Sequence, residues 1–145
     1  MLEKMAQVKI PGREELTLHL HLTGAGEIAN PRLEVIGGPD LLMLAEAVRA
    51  TLKGRLEEVP LPQGSSTAEL LMRELLMRTR GEWSPPVDSD ELCHCRVILR
   101  ATVDQAIVVG AHTSKKVSEW TSASTACGTC RPDVEAMISY RLGRS

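Results

Sequence analysis

Four thiols are the residues of this 145-residue chain best suited to chemistry. Cys93, Cys95, Cys127 and Cys130 are its only cysteines, and the first ninety-two residues contain none. The pattern is C-x-C, thirty-one intervening residues, then C-x-x-C. Two pairs of thiolates can enclose a zinc ion or an iron–sulfur cluster. Zinc knuckles use two to four intervening residues in each pair, whereas one residue separates Cys93 from Cys95. A single intervening residue sends both side chains to the same side of an extended segment. That arrangement suits a target wider than one ion, such as a [2Fe-2S] rhomb with two irons, each needing two thiolates.

A four-thiolate [2Fe-2S] centre carries a formal charge of about −2, so its surroundings must supply donors and positive potential. Residues 1–90 hold ten Lys/Arg against fourteen Asp/Glu, and residues 91–145 hold seven against five, so the cysteines lie in the basic part. Arg96, Arg100, Lys115, Lys116 and Arg131 are candidates for the electrostatic shell. Cys130 stands just before a predicted helix, whose first N–H groups have no partner within the helix. Gly128 lets the backbone between the last two cysteines approach sulfur closely. Asp133 and Glu135 oppose this field and are expected to face solvent.

The elements that must position these residues are read from periodicity. "LTLHLHL" alternates strictly, with Leu16, Leu18, Leu20 and Leu22 on one face and Thr17, His19 and His21 on the other, as in a half-buried strand. "TGAG" is a turn and "EIANPRLEVI" a second strand, with Pro31 at an edge or a bulge. Pro39 opens a helix whose apolar face is Leu41, Leu44, Ala45, Val48 and Leu52, with Gly54 as its stop. "EEVPLPQGSS" is a loop. Ser66 and Glu69 have capping-box spacing before a helix that buries Ala68, Leu71, Met72, Leu75 and Leu76. "GEWSPPVDSDE" is a linker, which gives an α+β domain over 1–80, a linker over 81–90 and an all-α domain over 91–145. In the last domain, Thr102 and Gln105 have the spacing of a second capping box. That helix runs to about Val109 with Gly110 behind it. A short helix covers Ser114 to Trp120 with Val117 and Trp120 inward, and a final one runs from Pro132 to Leu142. A unit of this size gains little from burial alone, and a bound metal centre supplies the missing constraint.

Aromatic residues are nearly absent, so the core is aliphatic. A net charge of −2 offers no nucleic-acid footprint. No apolar run reaches the ~18 residues that span a bilayer, and the N-terminus lacks the apolar stretch of a signal peptide. These features point to a cytoplasmic protein with no membrane partner, in which clustered cysteines bind metal or do redox chemistry rather than pair as disulfides. Other polar residues have plainer readings. His94, between two cysteines, could replace a thiolate but is expected to face outward, and His112 lies on a surface loop. His19 and His21 are exposed strand residues, although two histidines two apart on one face can bind metal. Gly37-Gly38-Pro39-Asp40 is a helix start before it is an anion site. Ser65, Ser66 and Thr67 have no positioned His or acid beside them and serve as caps.

The stretch "CHCRVILRATVDQAIVVGAHTSKKVSEWTSASTACGTCRPDVEAMI" resembles the bacterioferritin-associated-ferredoxin-like (BFD-like) [2Fe-2S] domain. The resemblance covers C-x-C with an apolar residue two positions on, a helix and a glycine, a Thr-containing helical segment, C-G-x-C and a closing helix. It implies a helix-turn-helix domain with Cys93, Cys95, Cys127 and Cys130 as ligands of a [2Fe-2S] cluster. The first part, with its strand pair, "EVIGGPDLLMLAEAVRATLKG" and "LPQGSSTAELLMREL", resembles the cluster-scaffold domain of the NifU/IscU family. Proteins of the NifU type place a BFD-like domain after that scaffold. Gly38 stands where the first scaffold cysteine would be. The second is missing near Gly54, and the third near Ser65 or Ser66.

The resemblance implies a non-enzymatic [2Fe-2S] accessory protein in iron–sulfur cluster assembly, cluster delivery or maturation of a metalloenzyme. A cysteine-free first domain would then dock a client or assembly partner, or a second copy of the chain. A ferredoxin-like electron donor to a specific oxidoreductase and a zinc-stabilised interaction protein are the alternatives.

Overall fold

Strict alternation in "EELTLHLHL" places Leu16, Leu18 and Leu20 on one face of strand β2 (Glu14–Leu22), where all three are fully buried. In the computed structural model, which describes residues 1–86, 91–93, 98–121 and 131–143, this strand is the centre of a three-stranded antiparallel meander. Strand β1 (Leu2–Ile10) flanks it on one side and β3 (Ile28–Ile36) on the other. Pairing of Ala6 with Leu18, Val8 with Leu16 and Leu33 with Leu18 fixes the register, so the apolar side chains of all three strands share one face. Each leucine removed from water there stabilises the fold by roughly 1.5–3 kcal/mol.

The hairpin between β2 and β3 forms as its sequence predicts, turning through Thr23 and Gly26, the latter at φ 80°. Opposite the step from His19 to His21, β3 inserts one extra residue, because His19 pairs with Arg32 and His21 with Ala29. This bulge holds Asn30, at φ 50°, and Pro31, which satisfies the expectation for the proline. Strand β1 has no counterpart in the sequence reading. Its pattern is spoiled by Lys4 in the core-side series and Met5 in the outer one, and only Val8 and Ile10 are buried.

Helix α1 (Pro39–Arg49) begins at the proline as expected and lays Leu41, Ala45 and Val48 into the core beside β3. Arg49 tethers it, donating from Nε and Nη2 to the Leu33 carbonyl at 3.2 and 2.8 Å. The helix ends earlier than Leu52. Gly54, at φ 72°, is not its cap but shapes the return segment, whose carbonyl accepts from Ile28 N–H at 2.7 Å. Leu52 is buried from outside the helix. A 3₁₀ turn at Leu56–Glu58 leads to the loop before α2 (Thr67–Arg80). The α2 stripe of Ala68, Leu71, Met72, Leu75 and Leu76 is buried as predicted, together with Leu70, Arg73, Glu74 and Thr79. Arg73 donates to the Pro62 and Gly64 carbonyls at 2.8 and 2.9 Å, and the Glu69 carboxylate accepts from Gly64 N–H at 2.9 Å.

The chain divides into two compact units, Met1–Gly64 with Ala68–Trp83, and Ser65–Thr67 with Ser84–Ser145. The second is not purely helical, contrary to expectation. Strand β4 (Glu91–Cys93) pairs antiparallel with β5 (Ile98–Leu99), ahead of α3 (Arg100–Val108), α4 (Ser114–Thr121) and α5 (Arg131–Arg141). Segments of three and two residues are too short to produce a readable alternation. Helix α3 starts at Arg100, so Thr102 lies inside its first turn and does not open it. Gly110, at φ 134°, ends the helical region as expected. Val103, Ala106, Ile107, Ala111, Val117, Val134, Met137 and Ile138 form one buried cluster with Leu142 against it. Trp120, expected inward, is 53% exposed, with its ring edge over Gly110.

Candidate metal centre

Along the chain, one pair of thiols falls between the linker and α3, and the other between α4 and α5. Cys93 closes β4, with its backbone opposite Ile98 of β5. Cys95, Cys127 and Cys130, together with His94, Arg96 and Gly128, lie outside the described residues. What surrounds them is described. Strand β5 runs directly into α3, and α5 begins at Arg131, the residue after Cys130. Both helices pack on one core through Val103, Ala106 and Ile107 on one side and Val134, Met137 and Ile138 on the other. The segment leading from the first cysteine pair and the helix following the second are thus anchored in the same small cluster of side chains.

A second tie joins these helices. The Arg141 guanidinium donates through Nε and Nη2 to the two carboxylate oxygens of Asp104, both at 2.8 Å. This two-pronged geometry fixes the end of α5 against the middle of α3. Thr113 caps α4, its Oγ1 accepting from Lys116 N–H at 3.1 Å. Tyr140 Oη accepts from Ser84 N–H at 2.7 Å, which pins the start of the linker to α5. The first turn of α5 leaves N–H groups without helical acceptors beside Cys130 in the chain, the kind of donor set that sulfur anions use. Lys115, Lys116 and Arg131 are exposed and Arg100 is half-buried, so this part of the unit presents cationic side chains. Asp133 and Glu135 are exposed, as expected.

Residues 92–139 match the family model of the BFD-like [2Fe-2S] binding domain. The match covers about a third of the chain and takes in all four of its cysteines. The C-terminal part of this protein is therefore a BFD-like domain, and that domain binds a [2Fe-2S] cluster. No curated protein and no solved structure matches the chain. The N-terminal scaffold resemblance gains no such support. The four thiols inside the matched residues equal in number the ligands that the two irons of such a cluster need.

Of the remaining candidates, His112 is half-buried rather than on the surface, with its Nε2 enclosed and unpartnered among the described residues. Gly38 opens α1 as a helix start, and a side chain there would meet open space. His19 and His21 do come together, joined by Glu3 of β1. Glu3 carries no signal in the sequence, because its place depends on a strand whose alternation is broken. Among the described residues, no helix is long and apolar enough to cross a membrane.

Proposed function

We propose that this chain is a NifU-like accessory protein that carries a [2Fe-2S] cluster on Cys93, Cys95, Cys127 and Cys130 and hands it to a client during cluster assembly or metalloenzyme maturation. It is not itself an enzyme, and it works in the cytoplasm on a protein partner. The observation that carries this reading is a family match that spans every cysteine of the chain. The N-terminal unit supports the NifU-like part by outline, with an antiparallel meander followed by two helices. Its loop before α1 holds Gly37-Gly38-Pro39-Asp40 where a scaffold would hold its first cysteine. Gly38 has room for a side chain, so loss of that thiol is a change of chemistry rather than of packing. A unit without thiolates assembles no cluster of its own, and in this reading it docks a client, an assembly partner or a second copy of the chain.

Anaerobically purified protein should contain about two irons and two acid-labile sulfides per chain and be red-brown. Cys93→Ser or Cys130→Ser should bleach it. The cluster should move into an apo-acceptor faster than it passes electrons. One bound zinc and no labile sulfide would overturn the cluster reading. A cluster that stays bound while cycling with a reductase would replace delivery by electron transfer.

A further inference from the structure

We propose that Glu3, His19 and His21 form a site for one divalent first-row transition-metal ion on the outer face of the N-terminal sheet. This site is separate from the cysteines, and nothing in its argument depends on the cluster. His19 and His21 are two apart on β2 and project from the same face, opposite the buried leucines. Glu3 pairs directly with His21 across the β1–β2 ladder and lies diagonally from His19. Its Oε2 is 3.3 Å from His19 Nε2 and 3.5 Å from His21 Nε2. Ions of this class bind imidazole and carboxylate at about 2.0–2.2 Å, which puts neighbouring ligand atoms of a tetrahedron about 3.3–3.5 Å apart. Both carboxylate–imidazole edges already have that length. One candidate ligand atom from each of the three residues lies within 4.8 Å of the others, so side-chain torsions alone can close the remaining edge.

Three further observations favour an ion over a plain surface pair. The imidazole rings meet edge to face, with centroids 5.3 Å apart and planes at 82°, so the two histidines already lie close together without stacking. His21 Nδ1 is buried without a hydrogen-bond partner among the described residues, and the ring is held instead from its Nε2 side by Glu3. The bulge at Asn30 and Pro31 sits opposite the interval between the two histidines, the kind of place where a bulge re-aims side chains. The histidine side chains are 31% and 28% exposed and Glu3 is 66% exposed, so an ion can enter from solvent and keep a water ligand. Two imidazoles and one carboxylate select zinc and its neighbours over calcium or magnesium, which prefer oxygen. Arg32, paired in register with His19, is the cation that weakens the site.

The 145-residue chain with its cluster should be titrated with Zn²⁺ in a non-chelating buffer and followed by calorimetry, imidazole ¹⁵N resonances and the visible spectrum. One ion should bind and shift the resonances of His19 and His21, while those of His94 and His112 and the cluster absorbance stay put. His19→Ala or His21→Ala should weaken binding by at least about 30-fold and Glu3→Gln by about tenfold, since even supporting groups around a bound metal are worth about 10–100-fold. Arg32→Ala should tighten it two- to fivefold at low salt. All four changes are on the outer face, and an unchanged amide spectrum verifies the fold. Binding that survives His19→Ala/His21→Ala together, or uptake seen only as bleaching of the cluster, overturns the site.

Discussion

The Asp104–Arg141 pair shows what a single side chain contributes to this molecule. Arg141 is buried at the end of α5, and Asp104 offers both carboxylate oxygens from α3 with about a third of its side chain exposed. Asp104→Ala removes both acceptors from that guanidinium and should cost about 1–3 kcal/mol, less than a fully buried pair because solvent reaches the carboxylate. Urea unfolding followed at the Ile107 and Ile138 amides would measure it, and an unchanged midpoint would show the pair to be ornamental. Arg73 has a parallel part in the other unit, holding the Pro62 and Gly64 carbonyls. Arg73→Met should cost a similar amount, with the loss read at the same loop as faster amide exchange at Gly64. Nothing in the sequence separates Arg73 from any arginine on a leucine-rich helix. Its partners are carbonyls of a proline-rich loop, and carbonyls have no residue type. The four cysteines are the opposite case, because their type and spacing are themselves the signal.

At the level of elements, legibility followed the purity of the period. Strand β2 and helix α2 repeat cleanly and were readable with their buried faces. Strand β1 was not, because its outer residues include Met5 and its inner ones Lys4, and an edge strand tolerates both where a buried one would not. The β4–β5 ribbon is too short for any period to register. In the C-terminal unit the three helices have nine, eight and eleven residues, each near or below the length at which an isolated helix holds in water. Their stability therefore comes from the shared cluster around Ile107, which is fully buried. Ile107→Ala should cost about 2–5 kcal/mol, a large fraction of what a unit of this size possesses. The expected result is loss of helical amide protection and of visible absorbance together. Retention of both would mean that the helices are held by something other than this core. Trp120 shows the limit of pattern reading within a helix. Its period places it inward beside Val117, but it stays more than half exposed, with its ring edge over Gly110.

Across the whole chain, the two units differ in what stabilises them. The N-terminal unit has a nine-residue strand flanked on both sides and a long helix with a nearly continuous set of buried leucines. Among its described residues, the C-terminal unit has one cluster of eight buried hydrophobic side chains on three short helices and the turn after α3. A ligand that binds only the folded form stabilises it in proportion to its occupancy and affinity. Loss of the [2Fe-2S] centre should thus be felt unevenly. After chelation of the iron, hydrogen exchange at the Ile107, Val117 and Ile138 amides should accelerate by about 100-fold, the effect of losing roughly 2.7 kcal/mol of bound-state stabilisation. Exchange at Leu16, Leu18 and Leu20 should stay within a factor of a few, because those amides sit in the central strand of a sheet whose core is made by its own leucines. Equal acceleration in both sets would mean that the units unfold as one and that the cluster stabilises the whole chain. Slow exchange in both would mean that three short helices suffice without their metal, and the C-terminal cysteines would then serve chemistry alone.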